Sequence, residues 1–228
     1  MARTAVIIVA GGVGQRMGGS LPKQFLFLGD KPILAQTINR FHEALPEAQL
    51  IVVLHEAHID FWRNFSARFE VARHTIVKGG KERFHSVKNG LAAVAYDCEL
   101  VAVQDAVRPL ASVELIRRSM EEAAHYGSAI PVVEAVDSYR IIEGEESRII
   151  DRRPLRIVQT PQCFQRALLD EAYGVEYSPL FTDDASVVEA MGEKVHLTQG
   201  ERSNLKITTR EDITVASALM MGEEAENQ

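Results

Sequence analysis

The chain has 228 residues, 46% hydrophobic and 25% charged, with a formal net charge of −7. That balance is ordinary for a globular protein and supplies ample material for a sizeable core. It excludes a general nucleic-acid binder, which needs an excess of Lys and Arg to track phosphates, and no apolar run approaches the ~18 residues of a membrane-spanning helix. The two cysteines, Cys98 and Cys163, stand far apart without metal spacing. They are expected to be reduced structural thiols in a cytoplasmic protein.

Thr4–Val9 reads as a buried first strand, since its apolar run is too short for a secretory signal and ends in glycines. Ile33–His42 then carries apolar residues at helical spacing, followed by strands at Leu50–His55 and Val71–Val77. A helix over Glu82–Tyr96 leads to a strand at Leu100–Gln104. Ser112 caps a further helix, Val113–Tyr126, with Glu114 near its positive end. A strand at Ala129–Val133 completes the series. Several of these strands are nearly continuous Val, Ile and Leu, as in sheets covered on both faces. The alternation predicts an α/β, Rossmann-like fold: a mostly parallel sheet with right-handed crossovers, flanked by helices. Ligands bind such sheets beyond the carboxyl ends of the strands, so the loops after Val9, Val77, Gln104 and Val133 are the places to search.

Glu134–Val158 breaks the pattern. Two short alternating segments, Ser138–Ile142 and Arg148–Ile150, flank the turn Glu143-Gly144-Glu145-Glu146 and predict an inserted β-hairpin. A lone hairpin is marginally stable, which favours its lying against a second subunit. Beyond it come a helix around Gln165–Val175, another opening at Thr182-Asp183-Asp184, and a strand at Lys194–Leu197. The last helix is capped by Thr209 with Asp212 three residues on, and a disordered tail is expected from Glu223. The chain is expected to be one domain, 1–228, with an arm at about 134–158.

The first loop, Ala10-Gly11-Gly12-Val13-Gly14-Gln15-Arg16-Met17-Gly18 with Pro22-Lys23-Gln24 after it, lets backbone N–H groups approach an anion or a base. A dinucleotide site would need a small residue at Met17 and an acidic residue ~20 further on, and a P-loop would need Lys before Ser20; neither is present. The pattern resembles instead the signature of nucleotidyltransferases that act on sugar phosphates. In that chemistry a phosphate oxygen attacks the α-phosphorus of a nucleoside triphosphate, and the enzyme positions the groups and neutralises charge. Arg16, a planar fork, and Lys23, a point charge, suit that task. His55 and His58 lack a third ligand nearby and read as solvated side chains.

Further motifs follow in order: Gly79-Gly80-Lys81-Glu82-Arg83-Phe84-His85-Ser86, Gln104-Asp105-Ala106-Val107-Arg108-Pro109, Gln159-Thr160-Pro161-Gln162, Thr182-Asp183-Asp184-Ala185 and Asn204-Leu205-Lys206-Ile207-Thr208. Together, from about Val6 to Ala216, they resemble the 2-C-methyl-D-erythritol 4-phosphate cytidylyltransferases of isoprenoid biosynthesis. Ribitol 5-phosphate cytidylyltransferases share most of them. The resemblance implies that Ala10, Gly11, Gly12, Gly14, Gly79, Gly80 and Ser86 hold the nucleotide and that Arg16, Lys23 and Lys206 form a cationic cage at the α-phosphate. Asp105 joins the nucleotide set and also faces the acceptor, with Mg²⁺ as its other possible ligand. The acceptor set is Asp105, Arg108, Ser138, Arg152 and Thr160, and Arg108 also shapes its loop. Arg83 either contacts the nucleotide or braces its loop. The resemblance further implies CTP and a small polyol phosphate as substrates, a divalent cation, and a homodimer in which the arm lends residues to the partner's site; Arg152 or Arg153 would bind the substrate phosphate there. Four positions depart from the family's pattern: Gln104 replaces a usual His, Ala106-Val107 an Ala pair, Ser138 a usual Thr, and Ser203 a frequent acidic residue. A non-catalytic nucleotide-binding protein is the rival of another class, and a purine or uridine transferase a third.

Overall fold

The alternation of side chains along one strand divides the core in two. β1 (Arg3–Ala10) sends Val6 and Ile8 to one face of the sheet and Ala5 and Ile7 to the other, all fully buried. The computed structural model describes residues 3–11 and 21–226; Gly12, Gly14 and Arg16 lie outside the described residues. A small hairpin, β2 (Phe27–Leu28) and β3 (Lys31–Pro32), precedes α1 (Ile33–Ala44). Then come β4 (Gln49–Leu54), α2 (Ile59–Ser66), β5 (Thr75–Lys78), α3 (Arg83–Leu91), β6 (Cys98–Asp105), α4 (Val113–Tyr126) and β7 (Ser128–Glu134). The chain continues through β8 (Tyr139–Glu143), β9 (Glu146–Ile150), β10 (Arg156–Val158) and β11 (Gln162–Gln165). It ends with α5 (Arg166–Ala172), α6 (Asp184–Glu189), β12 (Leu197–Gln199) and α7 (Arg210–Glu226).

β1 lies between β6 and β4 and runs parallel to both, and β5 continues the sheet parallel to β4. The chain therefore winds outward from β1 on one side and returns to its other side with β6. That is a topological switch point, the place where α/β sheets bind ligands. β11 is antiparallel to both β6 and β7, so β7 shares the direction of β6. β10 and β11 both pair with β7; of the three residues between them, Gln159 still donates its N–H to the Pro131 carbonyl at 2.8 Å, whereas Thr160-Pro161 leave the ladder. β6 pairs with β11 only up to Gln162↔Val103. On that side the carboxyl end of β6 is thus flanked by Thr160 instead of a paired strand.

One face of the sheet is covered by Ile38 and Phe41 of α1, Trp62 of α2, and Leu115, Ile116 and Met120 of α4. The other carries Phe84, Val87 and Leu91 of α3, Leu169 and Ala172 of α5, and Val187 and Val188 of α6. A smaller cluster seats Ala216 of α7 with Val107, Leu110 and Ile207 beneath the loop after β6. The Ser112 hydroxyl caps α4 by accepting the Leu115 N–H at 2.9 Å, and Gly127 ends that helix at φ +87°. Asp212 caps α7 by accepting the N–H groups of Thr208 and Thr209 at 2.7 and 2.8 Å. β8 and β9 form a separate two-stranded sheet around Gly144, whose φ of +65° suits the first position of a tight hairpin turn.

Several boundaries differ from the sequence-based expectations. The strand expected over Val71–Val77 begins only at Thr75, because Asn39 accepts the Ala72 N–H and donates to the Glu70 carbonyl, holding that stretch out of the sheet. The helix expected over Glu82–Tyr96 stops at Leu91 and gives way to tight turns. Gln165–Val175 is divided into the end of β11 and α5. The strand expected at Lys194–Leu197 begins at Leu197, and α7 continues through Glu226.

α3 approaches β1 through Gly90, where an added Cβ would lie 2.6 Å from Ile7 Cγ2 and 3.1 Å from Val53 Cγ2. Alanine would favour the helix by ~1 kcal/mol, whereas overpacking a tight core costs ~1–3 kcal/mol. Gly90→Ala is therefore expected to lower stability by about 1 kcal/mol. Urea denaturation checks this, and a stabilised variant would show that α3 can retreat without loss.

Candidate active site

Three loops meet beyond the carboxyl ends of β1, β4 and β5. Ala10 ends β1, and its carbonyl accepts a hydrogen bond at 3.0 Å from the buried Gln24 amide. This anchors the one-turn 3-10 helix Lys23–Phe25 beside the strand end, with Lys23 at its start. Phe25 is held from behind by Phe61, Trp62 and His58, with ring centroids 5.0, 5.7 and 5.8 Å away. His55 has a local task as well, its Nδ1 accepting the Ala57 N–H at 3.2 Å. On the neighbouring loop Gly79 donates to the Leu54 carbonyl at 2.7 Å. The buried Ser86 hydroxyl accepts the Gly80 N–H and donates to the Glu82 carbonyl, both at 3.1 Å.

Glycine is needed here because the two loops converge on Ser86. A Cβ on Gly11 or Gly79 would stand 3.2 or 3.1 Å from Ser86 Oγ, and one on Gly80 would meet His85 Cβ at 2.3 Å. Ala10, Gly11, Gly79, Gly80 and Ser86 are thus brought together as one lining, with Ser86 as its internal brace.

Asp105 ends β6. Its Oδ2 lies 3.0 Å from Lys206 Nζ and 3.3 Å from Arg108 Nε, and its Oδ1 lies 3.9 Å from Arg83 Nε. Burial pushes the Asp105 carboxyl upward, but the attraction of Lys206, Arg83 and Arg108 outweighs it and holds the group below the usual carboxylate range. The Asp105 N–H donates to the Thr160 hydroxyl at 3.1 Å. Thr160 is kept in place by Asn204, whose amide donates to the Thr160 carbonyl at 2.8 Å. Asp105, Thr160 and Lys206, distant in sequence, therefore share one site.

The same geometry separates the three cations. Arg108 is buried and also donates to the carbonyls of Asn204 at 2.8 Å and Val158 at 3.4 Å, which makes it a fixed brace of the loop. Arg83 is committed to Asp184, with Nη1 at 2.9 Å from Oδ1 and Nη2 at 2.6 Å from Oδ2. Burial lowers its proton affinity, yet the Asp184 pairing reverses that and raises the guanidinium pKa above its ordinary value. Lys206 differs from both, since its side chain is 44% exposed. Asp184, Tyr173 and Gln162, which complete the network behind Arg83, had no assigned role; the motif pair Asp183-Asp184 was the available signal.

The arm residues stand apart from this cluster. Ser138 is exposed just before β8. Arg152 donates to the Val136 carbonyl, whereas Arg153 is paired with its neighbour Asp151 at 2.8 Å. Among the described residues no group of three His, Cys, Asp or Glu side chains is placed to cage a metal ion, and Asp105 faces cations on three sides. Cys98 and Cys163 are free thiols in the core, and no helix among the described residues is long and apolar enough to cross a membrane.

The chain matches the family model described as IspD, 2-C-methyl-D-erythritol 4-phosphate cytidylyltransferase, over residues 4–222. A protein of that name from Bacteroides thetaiotaomicron is 48% identical over 219 residues, covering 96% of this chain and 100% of its own. Another, from Clostridium botulinum, is 38% identical over 228 residues, with 96% and 98% covered. The crystal structure of the enzyme of that name from Thermus thermophilus is similar at a TM-score of 0.75 and 33% identity, over 96% of this chain and 98% of that one. The 4-diphosphocytidyl-2C-methyl-D-erythritol synthase of Anaerococcus prevotii is similar at a TM-score of 0.81 and 27% identity, over 96% of both chains. With its glycine loops converging on Ser86 and its cation-ringed Asp105 at the sheet's switch point, the chain belongs to the 2-C-methyl-D-erythritol 4-phosphate cytidylyltransferase family.

Proposed function

We propose that this protein joins 2-C-methyl-D-erythritol 4-phosphate to the cytidylyl group of CTP, yielding 4-diphosphocytidyl-2-C-methyl-D-erythritol and pyrophosphate. The observation that carries the reading is the ion pair of Asp105, at the end of β6, with the half-exposed Lys206 at 3.0 Å. A carboxylate there can accept hydrogen bonds from polyol hydroxyls. A cation there can move onto a phosphate, and its pairing with Asp105 keeps it beside the site beforehand.

In this mechanism CTP occupies the lining of Ala10, Gly11, Gly79 and Gly80, and the sequence resemblance assigns Gly12 and Gly14 to the nucleotide as well. A divalent cation such as Mg²⁺, brought with CTP, would neutralise part of the triphosphate charge at this site. A phosphate oxygen of the acceptor attacks the α-phosphorus, and the bond from that phosphorus to the bridging oxygen of the β-phosphate breaks. Pyrophosphate leaves with that oxygen. No general base is needed, because a phosphate nucleophile is already ionised at neutral pH. Arg16, Lys23 and Lys206 stabilise charge on the non-bridging oxygens, and Asp105 and Thr160 orient the acceptor.

The arm is assigned to a homodimer. Ile142 and Ile149 on the hairpin are 69% and 62% exposed, and a lone hairpin is marginal without a surface to lie on. Ser138 and Arg152 would then serve the partner's acceptor site.

Replacement of Lys206 by Ala removes one donor from the developing charge and is expected to lower kcat by ~10²–10³. Because the side chain is half exposed, the thermal midpoint should stay close to that of the parent, as differential scanning fluorimetry would check; near-normal turnover would remove Lys206 from the mechanism. The substrate assignment is tested by pyrophosphate release from CTP and Mg²⁺ with methylerythritol phosphate, ribitol phosphate or no acceptor. Release with the first alone is expected. Release with ribitol phosphate alone would reassign the acceptor, and release with neither, despite CTP binding, would overturn the activity.

A further inference from the structure

The ion pair behind Asp105 takes no part in the reaction as described above, yet it is built with unusual completeness. Asp184 is fully buried at the start of α6. Its Oδ1 accepts from Arg83 Nη1 at 2.9 Å and from the Tyr173 hydroxyl at 2.6 Å, and its Oδ2 accepts from Arg83 Nη2 at 2.6 Å. Gln162 Oε1 accepts the N–H groups of Asp184 and Ala185, both at 3.0 Å. Asp183 and Ser186 close a reciprocal cap over the same turn. Arg83 is thereby fixed from behind, and its remaining nitrogen, Nε, points toward Asp105 at 3.9 Å.

By formal charge the cluster holds three cations, Arg83, Arg108 and Lys206, against two carboxylates, Asp105 and Asp184. Arg83 and Arg108 are locked by buried hydrogen bonds, so Lys206 is the member able to leave. With Asp184 in place, its departure leaves two cations facing two carboxylates, a balanced interior. Without Asp184, a surplus buried cation would remain, and Asp105 would be its only anionic partner. Uncompensated buried charge is costly, so Asp105 would be drawn toward the arginines and away from an incoming hydroxyl.

We infer that Asp184 is a positioning residue for acceptor binding, acting through Arg83 to keep the Asp105 carboxylate available when Lys206 moves to a phosphate. This rests on the function proposed above. A pair that only held the fold together would, on loss of Asp184 alone, lower the thermal midpoint and weaken both substrates together, because one uncompensated buried charge destabilises the protein.

The test is steady-state kinetics with CTP and 2-C-methyl-D-erythritol 4-phosphate, with thermal midpoints, for the parent, Asp184→Asn, and the double variant Arg83→Met/Asp184→Leu. In Asp184→Asn the acceptor KM should rise about tenfold while the CTP KM stays within about threefold. The double variant removes one cation with one carboxylate and leaves Arg108 facing Asp105, so it should keep its thermal midpoint and bring the acceptor KM back to within about threefold of the parent's. A parent-like acceptor KM in folded Asp184→Asn overturns the inference, and so does a folded double variant whose acceptor KM stays as high as that of Asp184→Asn. So does an equal loss toward both substrates accompanied by a lower midpoint. If the double variant does not fold, the split between the two KM values in Asp184→Asn decides alone. A parent protein inactive with this acceptor overturns the proposed function and this inference with it. An active parent with an indifferent Asp184→Asn overturns this inference only.

Discussion

A carboxylate at the end of a buried strand, held by cations from three separate stretches of chain, is the constraint around which the molecule is arranged. Asp105 is fixed by β6, Arg108 by the turn that follows, Arg83 by α3, and Lys206 by the segment before α7. Removing a carboxylate from water costs several kcal/mol unless it is paired and hydrogen-bonded. The fold meets that demand only when β6, α3 and the Asn204–Thr208 segment are all in register. Much of the irregular structure serves this end. Asn204 bonds Thr160 and receives Arg108, while Gln159 donates to the Glu201 carbonyl at 2.7 Å.

The nucleotide lining obeys a different rule. It is made from backbone and one buried hydroxyl, with glycines where two loops close on Ser86. Charge has little part in its shape, which is set by close approach and by the anchoring of strand ends. Lys23 joins that side through the Gln24 and Phe25 anchors. The site is therefore half steric and half electrostatic, with the boundary between β1 and β6.

The parallel strands were legible because burial on both faces leaves nearly unbroken Val, Ile and Leu, and the site loops were legible because motifs follow those strands. β11 escaped because Gln162-Cys163-Phe164-Gln165 is too short to show a period. α2 was not expected, although Phe61 and Trp62 lie on it and pack against Phe25, and Phe65 stacks on Phe61. The irregular Val71–His74 stretch depends on an Asn39 clamp from α1, which no local pattern reveals. In the site, Asp105, Thr160 and Lys206 came from motifs. The Arg83–Asp184 pair joins residues 101 positions apart, and a single sequence does not state such a partnership.

The departure of Thr160-Pro161 from the sheet has a consequence for how such a protein can diversify. The described glycines and Ser86, proposed to hold the nucleotide, all precede the end of α3, whereas Asp105, Thr160, Lys206 and the arm follow it in the chain. On the assignment proposed above, a lineage can explore new acceptors by substitutions around Thr160-Pro161 and the hairpin, leaving the glycine loops and the parallel core untouched. Recognition of the common currency, the nucleotide, and recognition of the particular alcohol would then be separable inheritances carried on successive stretches of one chain.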